Sequence, residues 1–366
     1  MRNMRVAVVG GGPAGLTTAL ALAMQGASVR VFERAAVLGE GGAGLQISPN
    51  GARALRALDL SGGLDRIGLT SDAVVPTDGL TGRAVTRFDL TAQVPRYRFV
   101  ARPDLVGLLA EACARAGVEI TTGTAIDRPE KFDLTVGADG IGSGIRRRLN
   151  GGAAPAFSGQ VAWRATVPAE AAPQAHIWML PGRHVVSYPL PGGLVNLVAV
   201  QERAEWTAEG WRHADDPDNL RAAFVDACPA LIGLLSKVET VHLWGLFLHP
   251  VAAVWHDADT VLVGDAAHPT LPFLAQGANL ALEDAVVLVR CLSTKGLSAG
   301  LAAYQAERAP RVSRAIAAAR SNAVNYHLRG MRRRVAHLGL AGIGKLAPGA
   351  FIDRLAWLYD YDPAER

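Results

Sequence analysis

The sequence predicts an α/β fold: a parallel, dinucleotide-binding (Rossmann-like) sheet with an inserted antiparallel sheet and a set of C-terminal helices. Three observations support this prediction. A glycine-rich turn, "GGGPAG", separates a strand-like segment from a helix-like segment near the N-terminus. Two later apolar runs end in an aspartate beside a glycine, at 139–140 and 264–265. Residues 156–201 then change to short apolar strands separated by turns that contain proline and glycine.

The glycine-rich turn follows residues 5–9, "RVAVV", which predict a buried parallel strand. Its glycines have the G-x-G-x-x-G spacing, and "LTTALALAMQGA" predicts a helix after it. Such glycines allow a tight turn and the close approach of a pyrophosphate, while the helix N-terminus offers free N–H groups and a positive dipole end. The predicted cofactor contacts in this turn are Gly10, Gly12, Pro13, Ala14 and Gly15.

An acidic residue lies near the end of the next predicted strand, "SVRVFER". Glu33 can accept hydrogen bonds from an adenosine ribose, and Arg34 beside it is a further candidate contact. The same glycine spacing recurs at Gly39, Gly41 and Gly44, but no strand precedes it, so we interpret that copy as a loop. The fingerprint alone does not distinguish FAD from NAD.

The aspartates at the ends of the two later strands favour a flavin. Because the carboxyl ends of parallel strands gather at one edge of a sheet, Asp139 and Asp265 are predicted to lie near the glycine-rich turn. There Asp265 can accept hydrogen bonds from a hydroxylated chain beside the pyrophosphate, which is the ribityl chain of a flavin. The apolar run before Asp265 predicts a buried position, where a carboxylate without a partner would be costly.

A helix predicted to begin at Gly277 follows the second aspartate. Its first backbone N–H groups, those of Ala278 and Asn279, would point at the pyrimidine end of the flavin and stabilise negative charge on the reduced ring. Pro272 and Phe273, in the loop before the helix, would form a wall beside the ring.

Together, "GGGPAG", "VGADGIGSGIR" and "GDAAHPTLPFLAQGANLALEDA" resemble the single-component, FAD-dependent aromatic hydroxylases, the group A flavoprotein monooxygenases. The segments "GGAGLQISPNGARAL" and "LAWLYDYDP" are most similar to the salicylate hydroxylase-like branch, which includes 6-hydroxynicotinate and 3-hydroxybenzoate hydroxylases. The resemblance covers nearly the whole chain. It implies a p-hydroxybenzoate hydroxylase-like fold and FAD contacts from Glu33, Arg102, Asp139 and Asp265.

The resemblance also implies a reaction. NADH or NADPH, bound transiently, would reduce FAD, and O2 would add at flavin C4a to give a hydroperoxide whose distal oxygen passes to an electron-rich ring. The expected enzyme is therefore a monooxygenase of a small hydroxyaromatic or hydroxy-N-heteroaromatic acid. A larger ring, such as a quinone precursor or a secondary metabolite, is the alternative substrate.

Three other classes remain as alternatives. An FAD-dependent halogenase is disfavoured because the sequence has no W-x-W-x-I-P signature. An NAD-dependent dehydrogenase would have no use for Asp265 or for the helix at Gly277. A non-catalytic flavin-binding protein would hold FAD without consuming NAD(P)H in the presence of an aromatic ligand.

One segment departs from the family. Between "EITTGTAI" and "FDLTVGADG" the family has a β-meander, whereas only "DRPEK" remains here. We expect a trimmed or rebuilt β-element at this edge of the sheet.

These motifs divide the chain into three parts. The predicted parts are a discontinuous FAD-binding domain at 1–72, 98–155 and 253–310, a substrate-binding β-sheet domain at 73–97 and 156–252, and C-terminal helices at 311–366.

The inserted sheet contains the first candidate catalytic pair. His184, Val186 and Tyr188 share one face of a predicted strand because side chains alternate along a strand. If that face looks toward the flavin, His184 and Tyr188 line the substrate pocket. The resemblance to 6-hydroxynicotinate-type hydroxylases, which carry a His-x-x-x-Tyr pair here, implies that they orient the substrate and help to remove its hydroxyl proton. The alternative places His184 on the surface and Tyr188 in the core.

Three further residues are weaker candidates. Gln46 could hydrogen-bond a substrate carboxylate or hydroxyl, or it could stabilise its own loop. Arg164 could meet a substrate carboxylate, although its sequence context favours a solvent-facing arginine. His268 is expected to pack in the loop after Asp265 and not to act in catalysis.

Composition limits the partners. The net charge of +4 suits anionic small molecules but is too small to argue for nucleic acid. No apolar run is long enough to predict a membrane span. Three scattered cysteines without a CxxC pattern fit a reducing cytoplasm, and the scattered histidines predict no metal site. The expected partner is a small aromatic substrate, and the expected assembly is a monomer or homodimer.

Overall fold

The fold was obtained as a computed structural model. It describes residues 1–39, 44–127, 129–152, 154–206 and 212–365. In chain order the strands are β1 (Arg5–Val9), β2 (Ser28–Phe32), β3 (Gly44–Ile47), β4 (Gly68–Thr70), β5 (Ala73–Asp78), β6 (Phe88–Asp89), β7 (Arg98–Ala101), β8 (Glu119–Thr121), β9 (Leu134–Gly137), β10 (Ala156–Pro168), β11 (Gln174–Leu180), β12 (Arg183–Leu190), β13 (Leu194–Glu202), β14 (Arg212–Asp215), β15 (Val241–Leu248) and β16 (Thr260–Leu262). The helices are α1 (Pro13–Met24), α2 (Pro49–Arg56), α3 (Ser61–Ile67), α4 (Arg102–Arg115), α5 (Gly144–Asn150), α6 (Pro217–Ala223), α7 (Pro229–Leu235), α8 (Gly277–Lys295), α9 (Leu297–Tyr326), α10 (Gly330–Leu346), α11 (Ala350–Asp353) and α12 (Ala356–Tyr359).

The first sheet is parallel, as predicted, and has five strands within the described ranges, in the order β16-β9-β1-β2-β8. Its central strands are apolar because helices cover both faces of a parallel sheet. Val9 of β1 and Leu262 of β16 both pair with Gly137 of β9, so the carboxyl ends of the three strands lie level with one another. This register brings the glycine-rich turn, Asp139 and Asp265 to one edge of the sheet.

Helices α1, α4 and α8 pack with this sheet in the largest apolar core, and α9 packs on α8. Tyr304 of α9 donates its hydroxyl to the carbonyl of Leu262 at 3.1 Å, which ties that helix to the end of β16. The predicted boundary at 310 lies within α9, so this helix belongs both to the packing of the first sheet and to the C-terminal region.

The segment between β8 and β9 contains no strand in the part of it that the structure describes. Arg128 lies outside the described residues. The trimmed or rebuilt β-element expected at this edge is therefore absent from the described residues between β8 and β9.

The second sheet contains eight strands in the described part of the chain, in the order β14-β15-β10-β13-β12-β11-β5-β6. It is mainly antiparallel, but β5 pairs with β11 in parallel, which the sequence did not predict. One face packs against α6 and α7 through an apolar cluster that includes Trp163 and Phe224. The opposite face turns toward α9 and the loop at 271–274.

A small antiparallel sheet, β3-β7-β4, joins the two larger ones. It carries Gln46 on β3 and leads directly into α4, which begins at Arg102. The second G-x-G-x-x-G copy is divided between a turn at Gly39 and β3, which begins at Gly44, whereas Gly41 lies outside the described residues. No helix in the described ranges is both long enough and apolar enough to cross a membrane.

Candidate active site

The three fingerprint glycines have three different environments. Gly10 has a φ of +114°, and a Cβ there would clash with the carbonyl oxygen of Ala138. A Cβ on Gly15 would clash with the carbonyl oxygen of Gly10, so this glycine lets α1 pack closely. Gly12 has no atom within 4 Å of its ideal Cβ position, which leaves open space beside the start of α1. This combination matches a turn that a pyrophosphate approaches closely.

The end of β16 contacts the same turn. Gly264 has a φ of +59°, and its Cβ position lies 2.8 Å from the Cβ of Ala14, so glycine is required there. Arg146, which is buried, donates to the carbonyls of Ala266 and Ala267 at 3.3 and 3.2 Å. The Arg146 side chain therefore fixes the backbone immediately after Asp265.

Glu33 is oriented by backbone N–H groups. Its carboxylate accepts from Gly11 at 2.6 Å and from Ala35 at 2.8 Å, and the side chain remains partly exposed. Arg34 is exposed. A fixed, accessible carboxylate beside the glycine turn has the placement that a ribose contact requires.

Asp139 has one satisfied and one unsatisfied oxygen. Its Oδ2 accepts from the Gly144 backbone at 2.8 Å, at the start of α5. Its Oδ1 is buried and finds no hydrogen-bond donor among the described residues. A buried acceptor without a donor costs free energy, so it fits a site where a ligand supplies the donor.

Asp265 was predicted to be buried, and this prediction is wrong for its side chain. Asp265 is exposed at the sheet edge. Desolvation by the surrounding protein raises the pKa of the Asp265 carboxyl, while the nearby charges of His268, Arg102 and Arg164 oppose this rise. Arg102, Arg164 and Asp265 thus belong to one electrostatic site.

The start of α8 is anchored by the side chain of Asn279. Its Oδ1 accepts from the Ser48 backbone at 3.1 Å, and its Nδ2 donates to the carbonyls of Gln46 and Ala275 at 2.9 and 2.8 Å. Asn279 therefore holds β3 to the helix through its side chain.

The other predicted residues around this helix differ in exposure. Gly277, Ala278 and Pro272 are partly exposed, whereas Phe273 is buried.

A buried ion network that links α8 to α9 was not predicted from the sequence. Asp284 accepts from His268 at 2.5 Å, from Arg308 at 2.7 Å and from the Gly264 backbone at 2.9 Å. Glu283 pairs with Arg308 and Arg311. Two adjacent acids within the apolar stretch "LALEDAVVLV" were the available signal, because buried carboxylates require cationic partners.

Tyr188 lies on the face of the second sheet that turns toward the first domain. It stacks on Phe99 at a ring distance of 5.0 Å, and its ring occupies the space beside Gly44. Burial raises the pKa of the Tyr188 hydroxyl, and the positive charge of Arg164 partly opposes this rise. Tyr188 is therefore a neutral side chain at the junction between β3, β7 and the second sheet.

His184 is 1% exposed, so the alternative that placed it on the surface is wrong. Its ring lies 5.5 Å from that of Phe273 and 5.2 Å from that of Tyr326. Its Nδ1 lies 2.7 Å from Nε2 of His327, a residue that the sequence analysis did not single out. Burial lowers the pKa of His184 well below its usual value, and His327 adds to that effect.

Arg164 was expected to face solvent, and this expectation is wrong. The side chain is partly buried, and its guanidinium carbon lies 5.2 Å from the centre of the Trp244 ring. Burial lowers the pKa of Arg164, and Tyr188 and Asp265 are close enough to raise it. Its Nε is buried without a hydrogen-bond acceptor among the described residues. Arg164 therefore has an N–H donor that no described residue accepts, on the face of the sheet that turns toward the site.

Gln46 accepts a hydrogen bond from the Tyr97 hydroxyl at 2.9 Å. It is partly exposed on β3, whose backbone is held by Asn279. Gln46 therefore has a structural hydrogen bond, as the loop-stabilising alternative requires, and part of the residue stays exposed.

The relationship of this chain to known proteins agrees with the geometry. The chain matches the FAD binding domain family over residues 3–131 and 128–319. It belongs to that family. It is 35% identical to a 3-amino-4-hydroxybenzoate 2-monooxygenase of Streptomyces platensis, over 98% of this chain and 96% of that protein. It is 31% identical to a 3-hydroxybenzoate 6-hydroxylase of Polaromonas naphthalenivorans, again over 98% and 96%.

Solved structures of other proteins have a similar fold. The structure of Klebsiella pneumoniae HpxO complexed with FAD and uric acid is similar, with a TM-score of 0.85, 23% identity and coverage of 97% of each chain. The predicted fold class and the resemblance to single-component aromatic hydroxylases are confirmed. The protein is an FAD-dependent aromatic-ring monooxygenase, a class whose co-substrates are NAD(P)H and O2.

The described residues fit FAD on structural grounds. The open space at Gly12, the unsatisfied oxygen of Asp139 and the accessible carboxylate of Asp265 lie along one sheet edge. The described residues contain no group of three or more His, Cys, Asp or Glu side chains that could hold a metal ion.

Proposed function

We propose that this monooxygenase hydroxylates a small hydroxyaromatic acid, bound between the flavin and the site-facing surface of the second sheet. The observation that carries this proposal is Arg164, a partly buried cation with an unsatisfied Nε beside Tyr188 and Asp265. A carboxylate is the ligand that best satisfies a buried guanidinium, because it accepts charge-assisted hydrogen bonds from the guanidinium N–H donors.

FAD would be held along the sheet edge. We assign its pyrophosphate to the turn with Gly12, its ribose to Glu33, and its ribityl side to Asp139 and Asp265. Further contacts are assigned to Gly10, Pro13, Ala14, Gly15, Arg34, Arg102, Pro272, Gly277, Ala278 and Asn279. When bound, FAD supplies the redox and oxygen chemistry, and the protein supplies position and exclusion of water.

The substrate would lie across β12. His184 and Tyr188 are four residues apart on one strand face, which separates their Cα atoms by about 13 Å. Val186 lies between them and is only partly buried, so an aromatic ring in this position would pack on it. In this arrangement Arg164 binds the carboxylate, and Gln46 and Tyr188 contact the ring substituents.

His184 would take the proton from the substrate hydroxyl. Its lowered pKa keeps the imidazole neutral near pH 7, which leaves a nitrogen lone pair available. A phenolate ring is more electron-rich than a phenol, so this step would favour attack by an electrophilic oxygen.

The substrate test uses flavin reduction without oxygen. The FAD-loaded protein is mixed anaerobically with NADH or NADPH, and flavin bleaching is followed with salicylate, 3-hydroxybenzoate, 6-hydroxynicotinate or 3-amino-4-hydroxybenzoate. We expect one acid to accelerate bleaching and to be hydroxylated when O2 is admitted. The matched carboxamide of that acid should act weakly, because it cannot form the charged pair with Arg164. Equal action of acid and amide, or bleaching that no small acid changes, would contradict the proposal and favour a larger ring.

The FAD assignment is tested by comparing two aspartates that flank opposite ends of β16, Asp265 and Asp259. Asp265→Asn should weaken FAD binding roughly tenfold to a hundredfold, since a hydrogen bond to a charged group contributes about 1.5–3 kcal/mol. Asp259→Asn is the control, because Asp259 is exposed just before the opposite end of β16. Equal FAD affinity in both variants, measured by equilibrium titration of the apoprotein, would remove Asp265 from the cofactor site.

We also propose a cytoplasmic location and a monomeric or homodimeric assembly. Three free, buried cysteines, Cys113, Cys228 and Cys291, support a reducing compartment. Fractionation of the source cells and light scattering of the purified protein test these two points.

A further inference from the structure

His184 is the inner end of a chain of polar side chains that leads to the protein surface. Its Nδ1 lies 2.7 Å from Nε2 of His327, and Nδ1 of His327 lies 3.1 Å from Oε1 of Glu202. His184 and His327 are 1% and 5% exposed, whereas the Glu202 side chain is 42% exposed. The chain therefore connects a fully buried imidazole to a solvated carboxylate through a single intervening residue.

The outer end opens into a surface depression of about 340 Å³, which Gln160, Glu202, His327, Arg329 and Arg332 help to line. Arg329 pairs with the other carboxylate oxygen of Glu202, which leaves Oε1 directed to His327. Water or a small anion in this depression would reach Glu202 directly.

The backbone holds the two outer residues in register. Gly182 donates its N–H to the carbonyl of His327 at 3.1 Å and accepts from the Glu202 N–H at 3.1 Å. Gly182 has a φ of +71°, and a Cβ at this position would clash with the Arg329 side chain. The turn before β12 thus fixes the geometry of His327 and Glu202 relative to His184.

The carboxylate determines which nitrogens carry protons. An ionised Glu202 can only accept, so Nδ1 of His327 carries the hydrogen and Nε2 of a neutral His327 is an acceptor. That acceptor requires a hydrogen on Nδ1 of His184, which leaves Nε2 of His184 with a free lone pair. Glu202 therefore selects the tautomer in which the inner histidine can act as a base.

We propose that His184, His327 and Glu202 form a proton relay between the substrate hydroxyl and solvent, an inference that rests on the function proposed above. The substrate O–H bond breaks as Nε2 of His184 gains the proton. The Nδ1 proton of His184 passes to Nε2 of His327, and the Nδ1 proton of His327 passes to Glu202, which releases it to water. The same steps in reverse return a proton to the product and restore the starting tautomers.

The electrostatics favour transfer of the proton through the relay and disfavour its storage on either histidine. Burial lowers the pKa of both His184 and His327, so an imidazolium would be unfavourable at either position. Glu202 partly opposes this for His327, and Arg329 adds to the lowering. Tyr326, which faces His184 from α9, has a pKa raised by burial and remains neutral. A proton accepted at one nitrogen must therefore leave from the other.

The first test is the pH dependence of turnover. Glu202→Gln and His327→Phe should lower kcat at pH 7 roughly tenfold to a hundredfold with KM unchanged, since acid–base catalysis contributes about 10²–10⁴-fold and water will replace part of the path. The deficit should disappear at a pH at which the free substrate is already a phenolate. Glu202→Ala should regain activity when formate is added, because formate fits the depression.

Asp226→Asn is the matched control. Asp226 is an exposed carboxylate that pairs with Arg183, the neighbour of His184, but it lies outside the relay. Its pH profile should match that of the wild type. Wild-type kcat and pH dependence in Glu202→Gln would overturn the relay, whereas a wild-type protein that hydroxylates no hydroxyaromatic acid would overturn the proposed function instead.

The second test does not depend on turnover. Histidine ring ¹⁵N NMR of the FAD-loaded protein should show His184 and His327 as neutral Nδ1–H tautomers at pH 7. Glu202→Gln should convert part of the His184 population to the Nε2–H tautomer, and Asp226→Asn should not. An Nε2–H tautomer for His184 in the wild type would overturn the relay whatever the substrate is.

Discussion

The two faces of the eight-stranded sheet are built from alternate residues of the same strands, yet they differ in chemistry. The face against α6 and α7 is apolar: Trp163, Val185 and Leu197 are all 1% exposed or less. The opposite face has Arg164 and His184 one position along from two of these residues. A shift of one residue thus separates the packed face from the pocket face, the face to which we assign the substrate.

On this assignment, one sheet combines a stabilising face with a binding face. The packed face gains from the burial of large apolar side chains, whereas the pocket face carries polar groups whose desolvation costs free energy. We therefore expect substitutions on the packed face to change the free energy of unfolding, and substitutions on the pocket face to change substrate binding.

The largest expected effect is on the packed face. Trp163→Ala should lower the free energy of unfolding by about 3–5 kcal/mol, because it leaves a cavity in a fully buried cluster. The substitution also removes the donor to Asp215, which the indole nitrogen contacts at 2.6 Å. Urea unfolding measures this change. KM of the folded fraction should stay near the wild-type value. A large change in KM with little loss of stability would contradict the assignment of this face to stability.

The neighbouring position should show the opposite result. Arg164→Met should weaken binding of the acid substrate by about 2–5 kcal/mol, the cost of removing one partner of a buried charge pair. Stability should be unchanged or higher, because a buried guanidinium is replaced by an apolar chain of similar length. Steady-state KM and thermal unfolding measure the two quantities. Arg164→Lys is the control that keeps the positive charge but loses the planar guanidinium. Its KM should lie between those of the wild type and Arg164→Met.

The smallest effect concerns acid stability on the pocket face. The folded-state pKa of His184 is lowered below the unfolded value near 6.5, so the unfolded chain binds the proton first. His184 therefore costs no stability above about pH 6.5, and its cost grows as pH falls below that value, by at most about 1.4 kcal/mol per pH unit. Urea unfolding at pH 7.5, 6.5 and 5.5 should show a shallower pH dependence in His184→Leu than in the wild type.

Val185→Ala is the packed-face control for that measurement. Val185 is fully buried beside His184 on β12. Its replacement should lower stability by a similar amount at each pH, because no titrating group is removed. If the free energy of unfolding changes equally with pH in the wild type and in His184→Leu, then burial of His184 does not contribute to acid destabilisation.

The cofactor edge was largely predictable, because each of its signals is local. A turn with φ above 0 requires glycine at Gly10 and Gly264, and the aspartates follow directly after strands whose apolar character is visible in the sequence. Parallel topology then brings these strand ends together without further information.

The substrate side was predictable only in part. Alternation along β12 correctly grouped His184 with Tyr188 on one face, but it could not give the partner of His184. That partner, His327, comes from the end of α9, and its contact with β12 depends on how a long helix packs on a sheet. Arg164 was misjudged for the same reason, since the face that β10 turns to the pocket is decided by tertiary packing.

The side chain of Asn279 has a consequence for motion. It bonds to the backbone of Gln46 and Ser48 on one side and to Ala275 on the other, so β3 and the start of α8 are held as one body. A ligand that displaced β3 would have to displace the helix start as well. Opening of the site therefore has to come from some other element, and amide exchange should report equal protection for β3 and the first turn of α8.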